Sequence, residues 1–155
     1  MKKLLIVLFL LTTFLAGCTP AQESTSGIQR MDTAGYKELM GNNAGRVVVI
    51  NIFASWCPPC EIETPDFVTM YASPGRSFEL IGLSIDDNAA ELAAFMKKHG
   101  VNYPVYIIDK RLQRRLMADK VPTTIIYKPN GEIFDMHFGL LTRHELRRIV
   151  FNAGK

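Results

Sequence analysis

A largely apolar segment that leads into two closely spaced cysteines constrains the fold of this chain more than any other feature of its sequence. Residues 46–53 read Arg-Val-Val-Val-Ile-Asn-Ile-Phe, and this β-branched run predicts a strand buried on both faces, as in the middle of a sheet. A helical pattern begins at Cys57 and extends to about Tyr71, with prolines at positions that the first turn of a helix tolerates. The sequence therefore places Cys57 and Cys60 at the amino end of a helix that follows a central strand.

Helical and strand patterns alternate along the rest of the chain. We predict helices over residues 33–40, 57–71, 89–99, 110–120 and 142–151, and strands over residues 46–53, 78–85, 101–108, 123–127 and 132–138. Asp-Asp-Asn at residues 86–88 can cap the third helix, and Pro-Asn-Gly at residues 129–131 is typical of a hairpin turn. The alternation predicts an α/β fold, a three-layer sandwich around a mixed sheet, with no internal repeat and no second domain.

The amino terminus has the pattern of an export signal. Two lysines precede an apolar run over residues 4–15, which fits a secretory signal peptide and is shorter than the roughly 20 residues that cross a membrane. Leu-Ala-Gly-Cys at residues 15–18 resembles the lipobox of bacterial lipoproteins. This resemblance implies cleavage before Cys18 and attachment of a diacylglycerol to its thiol, and several acyl chains together would hold the mature chain on a bilayer. A buried amino-terminal helix is the alternative interpretation.

The segment after this signal is polar and aperiodic. We therefore predict a signal peptide over residues 1–17, a flexible lipid-anchored tether over residues 18–30 and a folded domain over residues 31–155. The signal contains two lysines and no acidic residue, so the mature chain would have 16 basic and 15 acidic residues, against 18 and 15 in the full sequence. This near-neutral balance, with no tract of Lys or Arg, argues against nucleic-acid binding.

The spacing of Cys57 and Cys60 is typical of dithiol redox chemistry. The sequence has three cysteines, too few for a disulfide scaffold or a four-cysteine zinc site. Cys57 would lie where the unpaired N–H groups and the dipole of a helix favour a thiolate, and Cys60 one turn later, close enough to attack a mixed disulfide at Cys57. Pro58 and Pro59 stiffen the turn between them. A structural disulfide, a zinc site and two inert core thiols are the alternatives.

Two motifs carry a resemblance to a known superfamily. Trp-Cys-Pro-Pro-Cys at residues 56–60 is followed by Glu63 and Pro65, and Val-Pro-Thr occupies residues 121–123. These motifs resemble the active site and the cis-proline loop of the thioredoxin superfamily. The first is typical of its TlpA/ResA-like group of membrane-anchored, extracytoplasmic thiol-disulfide oxidoreductases. The resemblance extends over roughly residues 31–153 and implies a thioredoxin-like fold, in which residues 86–120 supply the strand-and-helix insertion of the TlpA type.

The resemblance also assigns a substrate-binding surface beside Cys57. Its members would be Trp56, Pro58, Pro59, Val121, Pro122 and Thr123. The peptide bond between Val121 and Pro122 is expected to be cis, in a loop that pairs its backbone with the substrate chain. A substrate would therefore lie across both motifs.

Glu63 is the acidic residue that the resemblance singles out. In the TlpA/ResA-like group an acid stands three positions after the second cysteine, whereas the buried Asp that thioredoxins carry six residues before the first cysteine is here Asn51. Residues three apart share a helix face, so Glu63 is expected near Cys60, with its pKa raised by partial burial. We expect Glu63 to relay the proton of Cys60 when that thiol attacks. An ordinary solvated glutamate is the alternative.

The predicted function is that of a thiol:disulfide oxidoreductase, lipid-anchored to a bacterial membrane and extracytoplasmic. It would reduce disulfides of exported cysteine-containing proteins, with apocytochrome c among the clients that the resemblance implies. A membrane thiol-transfer protein would return the electrons, and no metal and no cofactor beyond the Cys57–Cys60 disulfide is expected. The alternatives are a net oxidant or isomerase, and a lipoprotein module that binds copper or haem. A peroxidase is disfavoured, because the Thr-x-x-Cys setting of peroxiredoxins is absent.

Overall fold

Six strands and five helices alternate along residues 27–155, the part of the chain that this computed structural model describes. The strands are β1 (Gln29–Met31), β2 (Val47–Phe53), β3 (Phe78–Ser84), β4 (Val105–Ile108), β5 (Thr123–Tyr127) and β6 (Ile133–Phe138). The helices are α1 (Thr33–Asn42), α2 (Pro58–Tyr71), α3 (Ala89–His99), α4 (Lys110–Arg115) and α5 (Arg143–Ala153). The predicted signal peptide over residues 1–17, the predicted lipidation site Cys18 and residues 19–26 of the predicted tether lie outside the described residues.

The strands form one mixed sheet in the order β1-β4-β3-β2-β5-β6. The first four strands in this order are parallel to one another, whereas β5 is antiparallel to β2 and β6 is antiparallel to β5. All seven residues of β2 are buried, as expected for a strand with a neighbour on each side. Each helix within residues 27–155 is too short or too polar to span a bilayer.

Side chains along β2 alternate between two apolar cores, one on each face of the sheet. Val49 and Phe53 pack on one face with buried side chains of α2, α3 and α5. Ile50 and Ile52 pack on the other face with buried side chains of α1 and α4. Because helices cover both faces of a mixed sheet, the structure confirms the predicted three-layer α/β sandwich.

Polar side chains begin most of the helices. Asp32, Asn88, Asp109 and Thr142 each accept a hydrogen bond from a backbone N–H in the first turn of α1, α3, α4 and α5 respectively. α3 ends at Gly100, whose φ of 62° lies in the left-handed region that glycine adopts readily. Both ends of α3 are therefore where the sequence predicts them.

Apart from shifts of one or two residues at the ends of other elements, three differences from the sequence prediction stand out. α4 ends at Arg115 rather than at residue 120, because the chain turns at Met117, which has a φ of 53° and an exposed side chain. β4 begins at Val105 rather than at residue 101. Gln29 and Arg30, assigned to the tether, pair with β4 as part of β1. The folded region therefore begins before the predicted boundary at residue 31.

Candidate active site

The loop after β2 places Cys57 and Cys60 at the amino end of α2. Cys57 is the N-cap residue of this helix, and its Sγ accepts a hydrogen bond from the N–H of Cys60 at 3.3 Å. The two cysteines form a disulfide, and both are buried. The N–H groups and dipole of α2 therefore act on the sulfur of Cys57, where they would stabilise a thiolate in the reduced protein.

An exposed surface borders the disulfide. The side chain of Trp56, directly before Cys57, is 62% exposed. Pro58 and Pro59 are exposed in the first turn of α2. The contact of these three residues with a substrate stays a prediction, and their exposure is what such a contact requires.

The loop before β5 reaches the same end of the sheet as the disulfide. The peptide bond between Val121 and Pro122 is cis, as the resemblance implied. Thr123 lies opposite Ile52 in the pairing of β5 with β2, one residue before β2 ends. The carbonyl oxygen of Pro122 accepts a hydrogen bond from the N–H of Gly139 at 2.8 Å. The segment after β6 therefore holds this loop in place beside the end of β2.

Glu63 lies one turn beyond Cys60 on α2, and only 2% of its surface is exposed. Its Oε1 accepts a hydrogen bond from Nδ2 of Asn51 at 2.8 Å, and its Oε2 accepts one from the N–H of Leu141 at 3.0 Å. Burial raises the pKa of Glu63 from 4.5 to about 7, and the two hydrogen bonds oppose this rise. A carboxyl that titrates near neutral pH can accept a proton and return it under physiological conditions.

Sequence reasoning missed the groups that surround Glu63. Asn51 was identified only as the replacement for an Asp, although a lone amide among the six apolar residues of β2 signals a buried partner. Leu141 contributes through its backbone N–H, which no side-chain pattern reveals. Tyr103 was not singled out either; burial raises the pKa of its phenol, and the nearby charge of Glu63 adds to the rise. The carboxyl thus sits among groups from β2, the loop before β4 and the loop before α5.

The Cys57–Cys60 disulfide can exchange with a dithiol of another molecule, and the reduced pair can exchange with another molecule's disulfide. Because the sulfurs of Cys57 and Cys60 bond to each other, the thiol of Cys60 can reach the sulfur of Cys57 when that sulfur is in a mixed disulfide. Within residues 27–155, no three His, Cys, Asp or Glu side chains lie close enough together to hold a metal ion. The reactive groups that the structure brings together here are the two sulfurs and the carboxyl of Glu63.

The fold and this site define a thioredoxin-like thiol-disulfide oxidoreductase. The model of the AhpC/TSA family matches residues 29–136, which include the dithiol, Glu63 and the cis-proline loop. The chain belongs to the AhpC/TSA family.

Two proteins of Bacillus subtilis (strain 168) and one solved structure show the similarity in detail. The chain is 26% identical over 113 residues to thiol-disulfide oxidoreductase ResA, which is 72% of this chain and 63% of that protein. It is 26% identical over 157 aligned residues to sporulation thiol-disulfide oxidoreductase A, covering 94% of this chain and 95% of that protein. A thiol:disulfide interchange protein of the thioredoxin family from Chlorobium tepidum TLS has a TM-score of 0.66 and 27% identity, covering 73% of this chain and 83% of that one. The chain is thus a thiol-disulfide oxidoreductase of the type these proteins represent.

Proposed function

We propose that this protein is a lipid-anchored reductase that works outside the cytoplasm on disulfides of exported cysteine-containing proteins. The buried carboxyl of Glu63 carries the proposal, because it supplies a proton acceptor one turn from the thiol of Cys60. Apocytochrome c is one client class, and a membrane thiol-transfer protein returns the electrons. The resemblance of the active-site motif to the TlpA/ResA-like group supports both of these partners.

The reaction begins with the reduced protein, in which Cys57 and Cys60 are thiols. The thiolate of Cys57 attacks one sulfur of the substrate disulfide, so that a mixed disulfide forms and the other substrate sulfur leaves and takes a proton. Cys60 gives its proton to Glu63 and attacks the sulfur of Cys57, and the second substrate sulfur leaves and takes up that proton as Glu63 releases it. Two electrons and two protons pass to the substrate, and the protein ends with the Cys57–Cys60 disulfide.

The environment of Glu63 makes the proton transfer from Cys60 feasible. Burial raises the pKa of Glu63 to about 7, against about 8.5 for a free thiol, so the transfer is uphill by only about 2 kcal/mol. A solvated glutamate with a pKa of about 4.3 would make the same transfer uphill by about 6 kcal/mol. The hydrogen bonds from Asn51 and Leu141 hold the carboxyl in position.

Exposed apolar side chains at the same end of the sheet support binding of a protein substrate. Trp56 borders the disulfide, and Phe138 lies opposite Thr123 in the pairing of β5 with β6. Phe138 and Leu140 are both exposed. We propose that an extended substrate segment lies across this surface and pairs its backbone with that of Val121.

The topology of the sheet suits a protein tethered through its amino terminus. The predicted lipid attachment at Cys18 lies upstream of β1, which is an edge strand. Because β1 is parallel to β2 within the sheet, the chain enters β1 at the end of the sheet opposite to Cys57. A tether that enters there leaves the dithiol end open to clients, which supports the proposed anchoring.

A Cys60→Ser variant tests the proposal. Without the resolving thiol, the mixed disulfide between Cys57 and its client cannot be cleared, so it accumulates. In a bacterial host we expect adducts that are visible on non-reducing gels and released by dithiothreitol, with exported cysteine-containing proteins as the partners identified by mass spectrometry. Cys57→Ser is the matched control, since it keeps one thiol of the pair but lacks the attacking one, and it should trap few clients.

Two outcomes would contradict the proposal. Equal amounts of adduct on the two variants would reject Cys57 as the attacking thiol, and adducts made only with cytoplasmic proteins would reject the proposed location. Cys18→Ser tests the anchor separately: the variant should leave the membrane fraction and keep its rate of disulfide exchange. Loss of exchange in this variant would reject the division of the cysteines into one anchor and one redox pair.

A further inference from the structure

A second buried carboxylate lies beside the dithiol, and the exchange reaction described above does not use it. Asp86 follows β3 and is 2% exposed. Its Oδ2 accepts hydrogen bonds from the N–H of Ser55 at 2.9 Å and from the hydroxyl of Ser84 at 2.6 Å. Its Oδ1 accepts the hydroxyl of Ser55 at 2.6 Å. Three uncharged donors thus bind the carboxylate, and two of them belong to Ser55.

These hydrogen bonds join the end of β3 to the turn that carries the dithiol. Ser55 stands two residues before Cys57, and the N–H of Cys57 bonds to the carbonyl of Ala54 at 3.2 Å. Asp86 therefore fixes the turn at Ser55, and the start of α2 fixes it at Cys57. The side chain of Trp56 between them is exposed, so its packing does not anchor the turn.

A buried carboxylate is an unfavourable way to connect two segments if stability alone is required, because removing a charge from water is costly and apolar packing connects them without that cost. We propose that Asp86 is a positioning residue for the redox reaction. By holding Ser55, it keeps the sulfur of Cys57 at the amino end of α2 and keeps Trp56 exposed to the substrate. The proposal rests on the attacking role of Cys57 in the proposed function.

Asp86 matters most in the reduced protein. In the oxidised form the disulfide links Cys57 to Cys60 and holds Cys57 in place independently of Asp86. Reduction breaks that link, and the hydrogen bonds between Ser55 and Asp86 continue to hold the turn. Loss of the Asp86 carboxylate therefore destabilises the reduced form more than the oxidised form.

Equilibration with glutathione measures this difference. In that reaction two glutathione thiols become glutathione disulfide, and their two electrons and two protons convert the Cys57–Cys60 disulfide to two thiols. For Asp86→Ala, we expect the equilibrium constant for reduction to fall by about three- to tenfold, the effect of one or two hydrogen bonds. The rate at which Cys57 attacks a small disulfide should also fall, because the sulfur is less well placed.

Three further variants separate positioning from folding. Asp86→Asn can accept the hydrogen bonds from the N–H of Ser55 and the hydroxyl of Ser84 with its amide oxygen, and its own N–H can donate to the hydroxyl of Ser55, so it should restore both quantities. Ser55→Ala loses one donor and should shift both in the same direction as Asp86→Ala, by less. Tyr36→Phe removes a buried hydrogen bond to Tyr127 at the opposite end of the sheet, and should change neither quantity. Circular dichroism of both redox forms establishes that each variant is folded.

If Asp86→Ala folds and its equilibrium constant for reduction and its rate of attack by Cys57 are unchanged, the proposal is overturned. If Asp86→Ala does not fold, the same two quantities are measured in Ser55→Ala, and unchanged values there overturn the proposal. Equal destabilisation of the two redox forms would also overturn it, because it would make Asp86 a purely structural residue. The equilibration with glutathione involves the Cys57–Cys60 pair and no protein client. If Cys60→Ser fails to trap exported clients, that result counts against the proposed function, but the redox equilibria of the Asp86 and Ser55 variants can still be compared with that of the wild-type protein.

Discussion

The two ends of the sheet bury different kinds of side chain. Seven polar or charged residues other than tyrosine are buried within residues 27–155, and all seven lie in the half of the molecule that contains the dithiol. They are Asn51, Glu63, Thr64, Ser84, Asp86, Thr123 and Thr124. At the opposite end of the described sheet, the buried side chains are apolar apart from Tyr36 and Tyr127, whose hydroxyl groups bond to each other at 2.9 Å.

This difference separates the groups that stabilise the fold from those that support the chemistry. A buried polar group costs about 2–7 kcal/mol unless a hydrogen bond compensates, whereas each buried apolar side chain stabilises the fold by about 1.5–3 kcal/mol. The buried polar residues are concentrated where the proposed reaction handles a proton and two electrons. Burial of apolar side chains at the other end stabilises the fold and offsets the cost of burying these polar groups.

The largest effect on function is expected from the dithiol end. Cys57→Ser should lower the rate of disulfide exchange by more than about a hundredfold, because the attacking thiolate is lost. Its free energy of unfolding should stay within about 1 kcal/mol of that of the reduced wild-type protein, since the exchange of sulfur for oxygen is small. Stopped-flow reduction of a model disulfide and urea unfolding under reducing conditions measure the two quantities. If Cys57→Ser loses much of its stability but keeps its rate of disulfide exchange, Cys57 stabilises the fold and is not the attacking thiol.

The opposite effect is expected from the apolar core. Leu80 lies in β3, toward the end of the strand that is distant from the dithiol, and its side chain is fully buried. Leu80→Ala should lower the free energy of unfolding by about 2–5 kcal/mol, through lost apolar burial and the cavity that remains. The exchange rate of the folded fraction should be unchanged. A slower exchange in fully folded Leu80→Ala would show that the two ends are coupled.

Glu63→Gln tests how burial of a carboxyl at the dithiol end affects stability. The pKa of Glu63 is raised from 4.5 to about 7, so between these pH values the unfolded chain releases a proton that the folded chain keeps. The free energy of unfolding of the wild-type protein should therefore fall as the pH rises through this range and level off above pH 7, with a total loss of about 3 kcal/mol. In Glu63→Gln this carboxyl is absent, so the free energy of unfolding should not fall in this way between pH 4.5 and pH 7.

Urea unfolding of the oxidised proteins at pH 4 to pH 8 measures this difference. The pH profile of disulfide exchange should also change in Glu63→Gln, because the proton acceptor beside Cys60 is absent. Parallel stability curves for the two proteins would exclude a raised pKa, and identical exchange profiles would reject the relay role.

The smallest effect is expected from the tyrosine pair at the distant end. Tyr36→Phe removes the hydrogen bond from the hydroxyl of Tyr36 to that of Tyr127 and should lower the free energy of unfolding by about 1 kcal/mol. Disulfide exchange and its pH profile should match those of the wild-type protein. An altered pH profile of exchange would show that the tyrosine pair affects the dithiol, which would contradict the separation of the two ends of the sheet.

Helices and strands are predicted correctly from the sequence where the local pattern of apolar and capping residues matches the burial that the element has in the fold. The apolar runs of β2 and β3 and the ends of α3 are such elements. β1 has three residues, of which only Met31 is buried, so its place depends on pairing with β4 rather than on a local pattern. The helical pattern of residues 110–120 continues past the real end of α4, because Met117 adopts a left-handed conformation that the sequence does not signal in a residue other than glycine.

The same distinction applies to the candidate site. The cysteine pair is found from its spacing at the start of a helix, and Glu63 is found from the resemblance of the motif that contains it. Contacts between distant segments are not found in this way. Asp86 was predicted only as one of three possible caps for α3, but Asn88 caps that helix and Asp86 binds the turn at Ser55. Which carboxylate faces which loop depends on how β3 lies beside β2, and a local pattern does not contain that information.

The reduction potential of the Cys57–Cys60 pair tests the proposed reductase most directly. The oxidised protein would be equilibrated with redox buffers of glutathione or dithiothreitol, and its dithiol fraction measured by alkylation and mass spectrometry. We expect a potential near that of thioredoxin, about −270 mV, at which the dithiol passes its electrons to client disulfides. A potential near −120 mV, as in strongly oxidising dithiol proteins, would contradict the account and identify a net oxidant.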